Sequence, residues 1–200
     1  MDTSHPIACR CGALRGQVHP RPAIRAVCYC RDCQAFARFL GPPPGMLDPL
    51  NGTDIVAVRP GNVAFTQGVD RLTCMSLSPA GTLRWYAACC RTPIGNTPRD
   101  RRIAHLGIVH SCLETSGVPL DTSFGPVTMH VNTASALGKA PSNAPLAYCL
   151  SGARWFGALA WARVSGASKA NPFFRPGEAA PIVEPHVVTR AERDALRGGA

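Results

Sequence analysis

Cys28-Tyr29-Cys30-Arg31-Asp32-Cys33 places three thiols within six residues. Spacers this short let one turn of backbone offer several sulfurs to a single ion, and thiolate selects soft metals such as zinc. Three thiolates hold an ion from one side, so the fourth position stays open to water or substrate, the usual arrangement of catalytic zinc. Upstream lies a second group, Cys9-Arg10-Cys11-Gly12, and downstream an adjacent pair, Cys89-Cys90. A closed structural site wants four ligands, so the Cys9–Cys11 pair needs a supplier, and Cys89-Cys90 is the obvious one. Joining them closes a loop of about eighty residues, which makes metal binding part of folding. The expectation is two zinc ions, with Cys9, Cys11, Cys89 and Cys90 on one and Cys28, Cys30 and Cys33 on the other. An iron–sulfur cluster, one shared ion, or metal-free redox thiols are the competing readings.

The rest of the chain fits a metal-organised β protein. It has 200 residues, 46% of them hydrophobic, with 19 glycines, 19 prolines and 6% aromatics, a mix that favours short strands and loops. The formal net charge is +9. Seven thiolates on two divalent ions lower that by three, to +6. The arginines are scattered, and the densest run, Arg99-Asp100-Arg101-Arg102, is interrupted by an acid. A nucleic-acid partner is therefore not expected, whereas a small anionic substrate would suit the surface. The polar start Met1-Asp2-Thr3-Ser4-His5 gives no export signal, and no apolar run reaches the roughly 20 residues of a membrane span. A cytoplasmic setting is expected, where ten cysteines argue for metal rather than disulfides. No Walker, nucleophile-elbow or dinucleotide glycine motif is present.

Strands are expected over Ile55–Val58 and Val63–Thr66, flanking the turn cluster Arg59-Pro60-Gly61-Asn62, and over Leu72–Leu77 and Thr82–Tyr86, forming a second hairpin about Ser78-Pro79-Ala80-Gly81. A short helix is expected over Asp32–Leu40, stopped by Gly41-Pro42-Pro43-Pro44. In the second half, Arg101–Cys112 and Val127–Val131 read as strands packed on the first half. Residues 138–145 read as a loop and Ala153–Val164 as a helix. Thr189-Arg190-Ala191-Glu192 has capping-box spacing and opens a last helix ending near Gly198. The lone cysteines Cys74, Cys112 and Cys149 sit among apolar residues and read as small buried side chains. His105 and His110 read as packed residues rather than ligands. The domain reading is one domain over 1–200, with a motif-bearing core at 8–97 and an extension at 98–200.

The order C-x-C-G, then C-x-C-x-x-C, then Arg84-Trp85-Tyr86 through Cys90-Arg91-Thr92-Pro93 resembles the glutathione-dependent formaldehyde-activating (GFA) family, which includes centromere protein V. The resemblance covers residue 8 to about residue 96. It implies a mainly β architecture, a β-tent of small antiparallel sheets clamped by zinc, with short helices toward the C-terminus. It implies a structural zinc on Cys9, Cys11 and Cys90 and a second zinc on Cys28, Cys30 and Cys33, where a thiol adduct binds. The reaction implied is condensation of formaldehyde with glutathione, a carbon–sulfur lyase run in reverse. The family pattern has C-x-x-C-G at the third motif. Here Ala87 stands at its first cysteine and Arg91 at its glycine, with Cys89 as an extra thiol that completes the structural site. The family's common histidine in the middle motif is Tyr29 here.

The functional expectation is a zinc enzyme acting on a small thiol adduct such as S-hydroxymethylglutathione. Arg31, Arg84 and Arg91 are candidates to hold its negative charge. The alternative is a non-enzymatic zinc module that binds protein or nucleic acid.

Overall fold

The computed structural model describes residues 4–113 and 117–198. The first three residues of the polar start read above lie outside them. Among the described residues eleven strands form two sheets, as expected for a mainly β chain. The small sheet joins β1 (His5–Ala8), β2 (Arg15–Val18) and β5 (Val63–Gln67). The large sheet runs β10-β3-β4-β9-β8-β7-β6-β11, with β3 at Ala23–Cys28, β4 at Thr53–Val58, β6 at Leu72–Ser76, β7 at Leu83–Ala87, β8 at Pro93–Thr97, β9 at Leu106–Val109, β10 at Met129–Val131 and β11 at His186–Val187. Pairing is antiparallel except at the two edges, where β10 runs parallel to β3 and β11 to β6.

Two expectations about turns separate here. The hairpin about residues 78–81 forms, with Leu72 opposite Ala87 and Met75 opposite Arg84. Residues 59–62 make no hairpin. They carry the chain from β4 in the large sheet to β5 in the small one. The reason is partner choice. β4 pairs on both sides, with β3 and β9, so β5 finds its place on β2. The residues after 98 are integral to the large sheet, because β9 lies between β4 and β8.

Trp85, Leu14, Val56, Leu106, Ile108 and Phe173 meet in a core between the sheets. A second cluster packs helix α1 (Arg31–Phe39) through Ala35, Phe36 and Leu40 against Met75 and Val188. Cys74 and Cys112 are fully buried as expected, and burial pushes both thiols up, Cys74 to about 12. Cys149 is exposed, contrary to expectation. It sits on α3, which spans Pro145–Val164, eight residues longer at its start than expected because Pro145 opens the first turn. Only one face of α3 reaches the body of the protein, through Trp155 and Ala162. Helix α2 covers Leu120–Phe124, and α4, over Arg190–Leu196, has the expected capping box on Thr189 and Glu192. The ring of His105 meets Trp155 edge-on, and His110 bonds the carbonyls of Asp54 and Gly45, so both pack as expected.

Candidate metal centres

The first centre is built where two loops meet. The β1–β2 connection folds back on itself: Cys9 N–H donates to Leu14 O and Gly12 N–H to Cys9 O, with Gly12 at φ +74° in the left-handed region. The Cys9 sulfur accepts from Leu14 N–H at 3.2 Å. Opposite it, the β7–β8 turn is closed by Ala87 N–H to Thr92 O and Arg91 N–H to Ala87 O. In extended chain, Cys89 and Cys90 would point to opposite faces. The tight turn between Ala87 and Thr92 brings their sulfurs to 3.8 Å of each other. Arg91 ends the turn at φ +56°, a conformation suited to glycine. It is held there by bonds from its guanidinium to Leu40 O and Phe39 O, with its charge 5.1 Å over the Phe39 ring. Arg91 thus ties this turn to the end of α1.

The sulfur separations test whether an ion fits. Bonds of about 2.3 Å to a tetrahedral zinc put its ligands about 3.8 Å apart. Here Cys9–Cys11 is 3.5 Å, Cys9–Cys89 3.8 Å, Cys11–Cys89 3.3 Å and Cys89–Cys90 3.8 Å. All four sulfurs lie within 4.8 Å of one another. The group has the count and span of a closed tetrahedral site, and Cys89 is part of it. Burial opposes ionisation of Cys90, yet bonds from the Thr92 hydroxyl and from the Cys11 and Thr92 N–H groups bring its thiol down to about 6. Burial holds Cys9 up.

The second centre is local. Cys28 ends β3, Cys30 caps α1 and Cys33 lies in its first turn. Their sulfurs also fall within 4.8 Å, with Cys30 and Cys33 3.1 Å apart. The Cys30 sulfur accepts from Cys33 N–H at 3.3 Å, at the positive end of the helix dipole, which favours thiolate. The three thiols act on one another. Bonds from the Cys30 and Cys33 thiols draw Cys28 down to about 2, and donating to Cys28 holds both partners up. Cys28 and Cys33 are buried, whereas Cys30 is half-buried.

Two residues outside the motif complete this centre. Arg84, 6% exposed, sets its guanidinium 3.9 Å from the Cys33 sulfur, and also reaches Asn96 Oδ1 and Asp32. The sequence singled Arg84 out only for its place beside the third motif; it reaches this centre from β7, between α1 and the neighbouring strand β8. Asn132 donates from Nδ2 to the Cys28 sulfur at 3.4 Å. Nothing in its sequence context marks it, because β10 reaches Cys28 only through the parallel pairing of Val131 with Cys28. Arg31 is exposed on the first turn of α1. Among the described residues no histidine or carboxylate joins either group.

Residues 1–184 match a family described as a family of unknown function, DUF6151. The chain belongs to that family. No curated protein is similar to it. Among solved structures, a crystal structure of a Rhodobacter sphaeroides protein is similar at 21% identity with a TM-score of 0.40, covering 63% of this chain and 99% of that one. As a member of DUF6151, the chain carries two groups of cysteines able to hold metal ions, one of four sulfurs and one of three. No helix among the described residues is long and apolar enough to cross a membrane.

Proposed function

We propose that this DUF6151 member is a two-zinc enzyme of the GFA type that joins a small thiol, such as glutathione, to formaldehyde, and cleaves the same carbon–sulfur bond in reverse. The observation that carries the reading is the asymmetry of the centres: four sulfurs close one site, while three leave a position open at half-buried Cys30. Zinc held by Cys28, Cys30 and Cys33 supplies a Lewis acid that lowers the pKa of an incoming thiol. The chain's own groups do the rest. Asn132 and the N-terminus of α1 fix the thiolates. Arg84 offsets the net negative charge that three thiolates leave on a divalent ion, in a buried setting where that charge counts most. Exposed Arg31 offers a cation to a substrate carboxylate.

In the reaction the substrate sulfur forms a bond to the carbonyl carbon. The C=O π pair moves to oxygen, which takes the proton the thiol gave up, so the product is the S-hydroxymethyl adduct. The dense arginine run favours this reading over a nucleic-acid module. Arg99 bonds Gly81 O, Arg101 bonds Glu178 O and Arg102 pairs with Asp100, so the run is spent on structure. The test is exchange NMR on glutathione and formaldehyde with the zinc-loaded protein. The expected result is faster interconversion of free and adducted thiol, lost in Cys30→Ser. Interconversion at the uncatalysed rate overturns the enzymatic reading.

A further inference from the structure

Helix α3 is apolar on two opposite faces. At 100° per residue, Trp155, Ala158 and Ala162 lie on the side turned to the protein. The opposite side carries Leu146, Leu150, Ala153, Gly157, Ala160 and Val164, all exposed, at spacings of four and three residues. That is the repeat of a helix–helix seam. Beside the seam lie Phe156 and Trp161. Leu146 is 73% exposed, Phe156 72%, Trp161 67% and Val164 82%. With Leu150, these five side chains expose on the order of 700 Å², near the ~800 Å² each partner gives a stable interface and beyond the few hundred that monomers usually show.

We propose that this face pairs with the same face of a second copy of the chain, the two α3 helices running antiparallel about a two-fold axis near residue 155. Self-complementarity picks the occupant. In that register Leu150 meets the small Ala160 of the other copy, Leu146 meets Val164, and Ala153 meets Gly157, so the backbones approach closely at the centre. The only charges on α3 are Arg154 and Arg163, one on each flank of the seam. The two-fold axis brings like flanks together, so the two Phe156 rings lie side by side on one flank and the two exposed Arg154 side chains on the other. A lipid surface is less well matched. An interfacial helix carries a strongly basic polar face, whereas α3 has two arginines and turns its other face to the protein core.

The test is light scattering after gel filtration of the full, metal-loaded chain, with circular dichroism and metal content as controls for folding. The expected mass is twice 21.2 kDa. Leu150→Glu, buried in the seam, should weaken the dimer at least tenfold. Phe156→Glu and Phe156→Arg, each setting like charges opposite one another, should both weaken it, and an equimolar mixture of the two variants should restore it. A monomer at a hundred micromolar overturns the proposal, as does a monomer that sediments with anionic vesicles. Failure of the Phe156→Glu and Phe156→Arg mixture to restore the dimer overturns the antiparallel pairing.

Discussion

Cys9, Cys11, Cys89 and Cys90 meet across about eighty residues of chain, whereas Cys28, Cys30 and Cys33 are gathered within six. The first group ties the β1–β2 loop to the β7–β8 turn, and therefore one sheet to the other. The second rides on the end of β3 and the first turn of α1, both already fixed by β4 and by the packing of Phe36 and Leu40. The same ligand chemistry is thus built in two ways. On the proposed two-zinc reading, an ion held by distant segments would contribute to folding, whereas one held by a single segment would be presented by a fold already formed.

Breaking the long-range group should have the largest effect. Cys9→Ser and Cys90→Ser are expected to give insoluble or unfolded protein, since they forfeit much of a metal contribution on the order of 10 kcal/mol. Cys33→Ser should retain the β-rich circular dichroism spectrum and melt cooperatively. Equal melting of all three variants would erase the distinction.

A chelator sharpens the same contrast without mutation. Zinc should leave in two phases, the first with the secondary structure intact and the second together with its loss, because only the closed site is coupled to the sheet-to-sheet tie. Loss of all metal in one phase alongside unfolding would make the two centres energetically one.

A smaller effect is expected at the residues around the open site. Arg84→Gln and Asn132→Ala should lower zinc affinity there by about 10–100-fold, the usual weight of groups that orient metal ligands, and leave the four-sulfur site unchanged. Competition with a chromophoric chelator reads this. A shift in both sites would place Arg84 and Asn132 in general stability instead.

The smallest effect concerns Arg91, which holds the turn beside the closed site. Arg91→Ala keeps the left-handed strain and loses the bonds to Leu40 and Phe39, whereas Arg91→Gly loses the bonds but relieves the strain. The alanine variant should be the less stable by about 1 kcal/mol, read as a difference in denaturant midpoint. Equal stability would mean the turn costs nothing to hold.

The grouped cysteines were legible because close spacing is written in the sequence itself, and so was the capping box at Thr189. The joining of Cys89 to the first group was legible from ligand count, though not its geometry, which depends on the turn that ends at left-handed Arg91. Asn132 was not legible at all, because it reaches Cys28 by sheet pairing more than a hundred residues away in sequence. The connection at 59–62 has the composition of a hairpin turn, but turn residues do not say which strand will accept the next one. Cys149 has apolar neighbours that suggest burial, yet its helix is apolar on two opposite faces, and periodicity could not tell which of them meets the core.

The most direct measurement is metal content per folded chain. Elemental analysis of protein purified without chelator is predicted to find two zinc ions per chain, falling to one in a folded variant with Cys28, Cys30 and Cys33 all changed to serine. No zinc in the parent chain, or no fall in that variant, would contradict the account.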